Sequence, residues 1–223
     1  VGGLLGNGGG FIYNCFWDIQ TSGVTTSDGG QGLNTEQMQN KITYYGWGIC
    51  GNDGIWTIDE GHDYPHLFWE NKTGASITNP AVSEILDGSG EPDNPYLIYN
   101  TQQLVFMSFY TCEYDKHYKL MDDIDLSLFE YALFHQALIA PDYRLPFAGC
   151  FDGNGHVICN LTIDTAGNET YNLGLFGNID SSGVIKNVNI VNVIIDGGES
   201  SVMLGGLAGM NLGSIENSYA SGN

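Results

Sequence analysis

The feature that most constrains this chain is a sequence that occurs twice. Residues 2–16 read GGLLGNGGGFIYNCF and residues 205–219 read GGLAGMNLGSIENSY. The two align without a gap. Gly2 falls on Gly205, Gly3 on Gly206, Leu4 on Leu207, Gly10 on Gly213, Ile12 on Ile215, Asn14 on Asn217 and Phe16 on Tyr219. A looser copy, LGLFGNIDSSGVIKNVNI, occupies 173–190, and FDGNGHVICNLTI at 151–163 reads as a fourth. The Ile-x-Asn element thus places Asn at 160, 187 and 217, spaced 27 and 30 residues apart. Each copy joins a Gly-rich apolar strand to a second short strand through a Gly/Asn/Ser turn. Neither strand can bury its apolar side alone. Successive copies are therefore expected to stack, Ile on Ile and Leu on Leu, as a solenoid of strands. Asn at a fixed place in each copy would form a ladder of side-chain amide hydrogen bonds.

Composition agrees with strands and turns. The 223 residues include 32 Gly, 42% hydrophobic residues and only 14% charged ones, a balance that supports a buried core. Charge is one-sided: 26 acidic residues face 6 basic ones, a formal net charge of −20. Nucleic-acid binding needs clustered Lys and Arg, so it is not expected. An anionic membrane surface would repel the chain, and no apolar run approaches a membrane span. The acidity reads either as solubility by self-repulsion or as a surface that collects Ca²⁺.

The same residues resemble a known family. GGLAGMNLGSIENSYASGN at 205–223 resembles the GLUG motif of bacterial surface proteins and filamentous-haemagglutinin-like adhesins. PFAGCFDGNGHVICNLTI at 146–163 and HYKLMDDIDLS at 117–127 resemble the first coil of pectin-lyase-like modules. GSGEPDNPYLIYNTQQL at 88–104 resembles their opening segment. The stretches at 14–39 and 54–70 resemble the closing segment that follows the last coil. The resemblance implies an all-β, right-handed parallel β-helix; two short capping or peripheral helices are expected from the capping-box-like starts Asn100-Thr-Gln-Gln103 and Asn34-Thr-Glu-Gln37. It also implies secretion and a cell-surface role, with no particular ligand.

The order of these segments is inverted. Residues 1–70 read as the final coil and closing segment of one module, 71–87 as a linker, and 88–223 as the opening segment and coils of the next. The chain starts at Val1 without an initiator Met or signal segment, as expected of a chain processed or cut from something longer. Either a tandem array has been cut in an arbitrary frame, or the coil at 205–223 stacks on the 1–16 coil of a further copy. The expected stacking residues are Gly2, Gly3, Leu4, Ile12, Asn14, Phe16, Gly205, Gly206, Leu207, Ile215, Asn217 and Tyr219. The expected partners are copies of the chain itself, in one chain or in a head-to-tail filament. The expected function is a structural or adhesive repeat of an extracellular surface protein.

Other candidates are local. The loop Asp87, Glu91, Asp93 and Asn94 is oxygen-rich without EF-hand spacing, and is the first choice for Ca²⁺. Asp123 and Asp125 share one face of a strand-like run, with Asp122 on the other, either as a carboxylate pair or as caps. His62 and His66 lie four apart, but Pro65 argues against the helix that a zinc pair requires. The aromatics Trp47, Trp56, Tyr64, Phe68 and Trp69 either pack a small irregular region or offer a sugar-stacking platform. Cys15, Cys50, Cys112, Cys150 and Cys159 contain no CxxC pair. Cys150 and Cys159 flank a turn and could be cross-strand neighbours. Sequons stand at Asn71, Asn160 and Asn168. Catalysis is not expected: a lyase needs a placed base and a hydrolase needs paired carboxylates on adjacent coils, whereas the repeat positions are Gly, Ile, Leu, Val and Asn. A carbohydrate-binding module is the main alternative, with a polysaccharide lyase or hydrolase behind it.

Overall fold

In a computed structural model the chain divides into two compact units, Val1–Pro80 and Ala81–Asn223. The structure describes residues 2–6, 12, 14–47, 55–78, 80–129, 133–165, 171–198 and 203–222. Gly10, Cys50 and Asn168 lie outside the described residues.

The first unit contains β1 (Phe16–Asp18), α1 (Ile19–Ser22), β2 (Gln31–Leu33), α2 (Thr35–Met38), β3 (Trp56–Ile58), β4 (His66–Leu67) and β5 (Ala75–Ser76). β1 and β2 pair in parallel, with Phe16 opposite Gln31. β3 pairs antiparallel with both β4 and β5. The core is small: Tyr44, Ile58 and Ile77 are buried against Phe16, Trp47 and Trp56. α2 starts where the sequence signals it. The Asn34 side chain accepts from the Gln37 backbone N–H at 2.8 Å, and the Gln37 side chain accepts from the Asn34 N–H at 2.9 Å, a reciprocal cap.

The second unit contains α3 (Val82–Ile85), β6 (Tyr96–Ile98), α4 (Thr101–Phe109), β7 (His117–Leu120), β8 (Ile124–Asp125), β9 (Leu133–Phe134), β10 (Cys150–Asp152), β11 (Val157–Cys159) and β12 (Thr162–Asp164). It continues with β13 (Asn172–Leu173), β14 (Phe176–Ile179), β15 (Val184–Lys186), β16 (Asn189–Asp196), β17 (Met203–Leu204), β18 (Ala208–Asn211), β19 (Ser214–Glu216) and β20 (Tyr219–Gly222). The strand pairs among these are parallel, and the chain returns to the five-stranded sheet β6–β7–β10–β15–β19 again and again. Each run of chain from one strand of this sheet to the next is one pass.

In-register pairing stacks like side chains. Tyr96, Tyr118, Phe151, Ile185 and Ile215 form one inward column. Ile124, Ile158 and Ile190 form a second, and Phe134, Ile163 and Ile195 a third. Phe151, Ile158, Ile163, Ile185 and Ile190 are wholly buried. Phe176 closes the space between the columns, edge-on to Phe151 with ring centroids 5.4 Å apart. α4 buries Leu104, Val105 and Met107 in the same core. Its cap is the expected one, Asn100 accepting from the Gln103 N–H at 3.0 Å.

The expectation of one all-β, right-handed parallel β-helix with two helices requires correction. Among the described residues the strands fall into six separate sheets, one of them antiparallel. Four α-helical and four 3-10 segments stand between the strands. Part of the reason lies in the first unit, where β3 pairs antiparallel with β4 and β5 and the buried Asp18 ties α1 to Thr35 and Tyr64 in place of stacked passes. The resemblance extended to 14–70 the parallel order that the structure confines to β1–β2 there.

The repeat register also requires correction. Ile158 stacks on Ile124 and Ile190, whereas Ile185 stacks on Phe151 and Ile215. Asn160 and Asn187 therefore turn two different corners of a pass, and their 27-residue spacing is not a period. The true steps are 33 residues from Tyr118 to Phe151, 34 from Phe151 to Ile185 and 30 from Ile185 to Ile215. The confusion has a cause: both corners end in Asn with positive φ. Asn160, Asn187, Asn192 and Asn217 have φ of 62°, 53°, 55° and 47°, the left-handed region that Asn tolerates better than other side chains. At Gly153 the constraint is different. An added Cβ would stand 2.3 Å from the Asn187 carbonyl oxygen, so passes approach here as only glycine allows.

Phe151→Ala should cost about 3–5 kcal/mol in urea denaturation, the usual price of an emptied aromatic site. Ile215→Ala, at the 38%-exposed end of the same column, should cost under about 1 kcal/mol. Equal costs would contradict a core that closes at Phe151 and opens at Ile215.

Candidate functional site

The strands of the last pass end their sheets. β19 closes the five-stranded sheet, β20 pairs with β16, β17 with β13 and β18 with β14, and none has a further strand beyond it among the described residues. On the inner side the backbone bonds to the preceding pass. Met203, Gly205, Leu212, Ser214 and Tyr219 donate to Tyr171, Leu173, Ile179, Gly183 and Val188, at 2.9–3.0 Å. On the outer side large apolar groups stand in solvent: Leu204 52%, Leu212 62%, Ile215 38% and Tyr219 52% exposed. A row of unpaired strand edges beside an apolar surface is a template for another strand.

The expected stacking residues of 205–219 all lie on this edge. Leu207 is buried in the core. Gly205 is needed because a Cβ would meet the Ala208 carbonyl oxygen at 2.1 Å. Gly206 accepts from Leu175 through its carbonyl at 3.3 Å. Asn217 turns the corner with positive φ, and Tyr219 pairs opposite Asn189.

The matching residues of 2–16 lie in the first unit and already have neighbours. Gly3 donates to the Thr26 carbonyl at 3.0 Å, and the Leu4 and Leu5 N–H groups donate to Ser27 Oγ at 3.1 and 2.9 Å. A Cβ on Gly2 would strike the Leu5 carbonyl, and one on Gly3 would strike the Trp17 indole. Ile12 packs on Gly29. Asn14 is exposed, has φ of 50° and accepts from Trp47 Nε1 at 2.7 Å. Phe16 packs edge-on to Tyr44 at 5.6 Å. The segment thus carries later chain, residues 24–33, on one side. β1 has no second strand partner among the described residues.

The candidate calcium loop is organised differently from a cage. Asp87, Glu91, Asp93 and Asn94 are all exposed. Glu91 pairs with Lys116 Nζ at 3.1 Å, and Asn94 bonds back to Ser89 through both backbone and side chain. No group of three or more His, Cys, Asp or Glu side chains among the described residues is gathered for a metal. Asp123 accepts from the Val157 N–H at 2.9 Å and lies 3.3 Å from His156 Nδ1. Asp125 caps the 3-10 segment Leu126–Leu128 through the Ser127 N–H and accepts from Asn160 Nδ2 at 2.7 Å. Both carboxyls are held below the usual range, Asp123 chiefly by the Val157 N–H and Asp125 chiefly by Asn160. They act as caps between passes. His66 is buried on β4 with Nδ1 3.1 Å from the Tyr64 carbonyl oxygen, whereas His62 is exposed beside Asp59. Cys150 and Cys159 are free thiols on different sheets, and burial pushes both up. Protonated thiols are poor nucleophiles and poor metal ligands. Cys112 is disulfide-bonded.

Two features escaped the sequence reading. The outer face of the five-stranded sheet carries Lys119, Asp152, Lys186 and Glu216 in register. Opposite charges thus alternate across successive strands, and Lys186 Nζ lies 3.5 Å from Asp152. Only the true register shows this. The second is Asp18, buried in the first unit. Its carboxylate caps α1 through Gln20 and Thr21 at 2.7 and 3.0 Å, and accepts from Thr35 Oγ1 and Tyr64 Oη, both at 2.7 Å. The Asp-Ile-Gln-Thr run carried the cap signal, but Tyr64 is 46 residues away. Burial alone would raise this carboxyl. The four donors overcome it and bring it down to about 2.

Comparisons with known proteins are narrow. No family model matches the chain, and no solved structure matches it. Over 148 residues the chain is 35% identical to part of halomucin from Haloquadratum walsbyi, covering 64% of this chain and 2% of that protein. Over 152 residues it is 32% identical to part of a protein described as a Gly-rich membrane protein from Evansella cellulosilytica, covering 64% of this chain and 16% of that protein. The chain therefore spans a small fraction of both relatives. Among its described residues no helix is long and apolar enough to cross a membrane.

A carboxyl lowered in the folded state stabilises above its unfolded value near ~3.9 and loses that contribution as pH falls through the folded value. The first unit should therefore weaken between about pH 4 and pH 2. All four Trp residues lie in it, so Trp fluorescence reports this unit alone. Asp18→Asn places an amide N–H₂ against donors. It should lower the melting temperature at neutral pH and flatten the acid dependence; an unchanged acid profile would remove Asp18 from the account.

Proposed function

We propose that this chain is a structural or adhesive repeat of an extracellular surface protein, extended by adding a further copy to its last pass. The observation that carries the reading is the exposed apolar edge of β17–β20, together with a gap-free match between that edge and residues 2–16. Polarity supports the match. In the second unit later passes always lie on the same side, so the open edge of β19 and β20 faces the direction of growth. In the first unit β1 has later chain on one side only. Residues 2–18 of a further copy, laid on 205–221, would keep the pairing parallel and set Leu4 over Leu207, Ile12 over Ile215 and Phe16 over Tyr219. The added copy would belong to the same long chain or to a neighbouring one.

The resemblance of 205–223 to the GLUG motif of surface proteins and adhesins supports an extracellular setting. One relative bears the name halomucin and the other is called a membrane protein, which supports a setting at the cell boundary. Engagement of Asp123, Asp125 and Glu91 in structural bonds and pairs supports a scaffold over an enzyme. The net charge of −20 opposes association of like copies. Joining should accordingly strengthen as salt shortens the Debye length from ~8 Å at physiological strength to ~3 Å at 1 M.

Sedimentation velocity over a concentration series should show a mass that rises with protein and with NaCl. The pair Ile215→Arg and Tyr219→Arg, both at exposed positions, should hold the protein at the mass of one chain. A wild type that stays monomeric at high protein and high salt would refute the joining.

A further inference from the structure

The first unit carries an exposed aromatic pair that its core does not use. Phe68 and Trp69 are 58% and 56% exposed and meet edge to face with centroids 5.0 Å apart. They begin the 3-10 segment Phe68–Glu70, and the residue that ends it is Asn71, with φ of 53°. Asn71 opens the sequon Asn71-Lys72-Thr73, and all three residues are exposed. Phe68 and Trp69 thus stand three and two residues before Asn71, within a single turn of chain that closes at the left-handed Asn71.

We propose that Asn71 is an N-glycosylation site whose first sugar packs on the Phe68–Trp69 pair. The chemical class is a pyranose attached through its anomeric carbon. One face of such a ring is lined by C–H groups, and an aromatic surface beside the attachment point removes them from water. The transfer is redox-neutral. The donor is a polyprenyl-diphosphate-linked oligosaccharide supplied by the export route. The Asn71 carboxamide nitrogen forms a bond to the anomeric carbon, the bond from that carbon to the diphosphate oxygen breaks, the amide loses one proton, and the lipid diphosphate departs.

The other described sequon lacks this arrangement. Asn160 donates through Nδ2 to Asp125 at 2.7 Å. Its hydroxyl residue, Thr162, is paired on both sides within β12, with Leu133 and Ile194. The nitrogen that would react is therefore already engaged between passes. Among the described residues, Thr73 Oγ1 makes a long contact of 3.4 Å to Asp59, and Lys72 an exposed pair to Asp63 at 3.9 Å.

The proposal rests on the extracellular part of the reading above and not on the joining of copies. Its test forces export and so separates the two. The whole chain is secreted from a eukaryotic host with N-glycosylation, and occupied sites are located by mass spectrometry after amidase release. Asn71 should be occupied and Asn160 bare. The glycosylated protein should melt about 2–4 °C above the enzymatically deglycosylated one, the shift that a modest local stabilisation gives in a chain of this size. Phe68→Ala with Trp69→Ala should keep the site occupied and abolish that difference. A bare Asn71, or a glycan-dependent shift that persists without the two aromatics, would overturn the proposal.

Discussion

The structure of the second unit depends on one constraint: a side chain facing inward must meet its counterpart on the next pass. Tyr96, Tyr118, Phe151, Ile185 and Ile215 satisfy it in one column, and Ile124, Ile158 and Ile190 in another. No single strand of three residues buries enough apolar surface to offset its ordering entropy. Burial comes from stacking, and every pass is stabilised chiefly by its two neighbours. The end of the column follows directly. Ile185 is wholly buried between Phe151 and Ile215, while Ile215, with a neighbour on one side, is 38% exposed.

The columns stay in register because the corners are fixed. Asn supplies positive φ at Asn160, Asn187, Asn192 and Asn217, a conformation that costs most side chains about 1–2 kcal/mol. Its side chain then does what glycine cannot. Asn160 Nδ2 donates to Asp125, Asn192 Nδ2 to Asn160 and Asn187 Nδ2 to Asp152. Each series begins on a carboxylate, which only accepts, and continues with amides, which donate and accept. Partial burial would raise Asp152. Asn187, the Asn154 N–H and Lys186 together bring it below the usual range. The expected ladder of Asn160, Asn187 and Asn217 on one another is not what forms: Asn160 and Asn187 sit on different corners and donate to Asp125 and Asp152, and Asn160 accepts from Asn192.

Much of this was legible in residues. The inward Ile and Leu positions, the left-handed turns and the helix caps at Asn34 and Asn100 all follow from local patterns. The register did not, because Ile-x-Asn marks two corners and sequence spacing cannot distinguish them. The Lys119–Asp152–Lys186–Glu216 row depends on that register and was invisible without it. The first unit misled for a different reason. Its order comes from contacts far apart in sequence, above all Asp18 with Tyr64, and a resemblance spread over 14–70 could not place them. The calcium loop was chosen by composition, but Glu91 faces Lys116 and the four side chains stay exposed. Of the candidate edge, 205–219 was readable from the repeat. That 2–16 already carries 24–33 on one side was not.

The same physics links fold and proposed role. A stack of passes has no natural end, so its last pass keeps open strand edges and an incompletely covered apolar column. The most direct measurement is amide hydrogen exchange on the intact chain at low and high protein concentration in high salt. If copies add to the last pass, protection should rise at 203–222 and at 2–18, while 96–152 stays unchanged. Protection that is independent of concentration, or that rises elsewhere, would contradict the account.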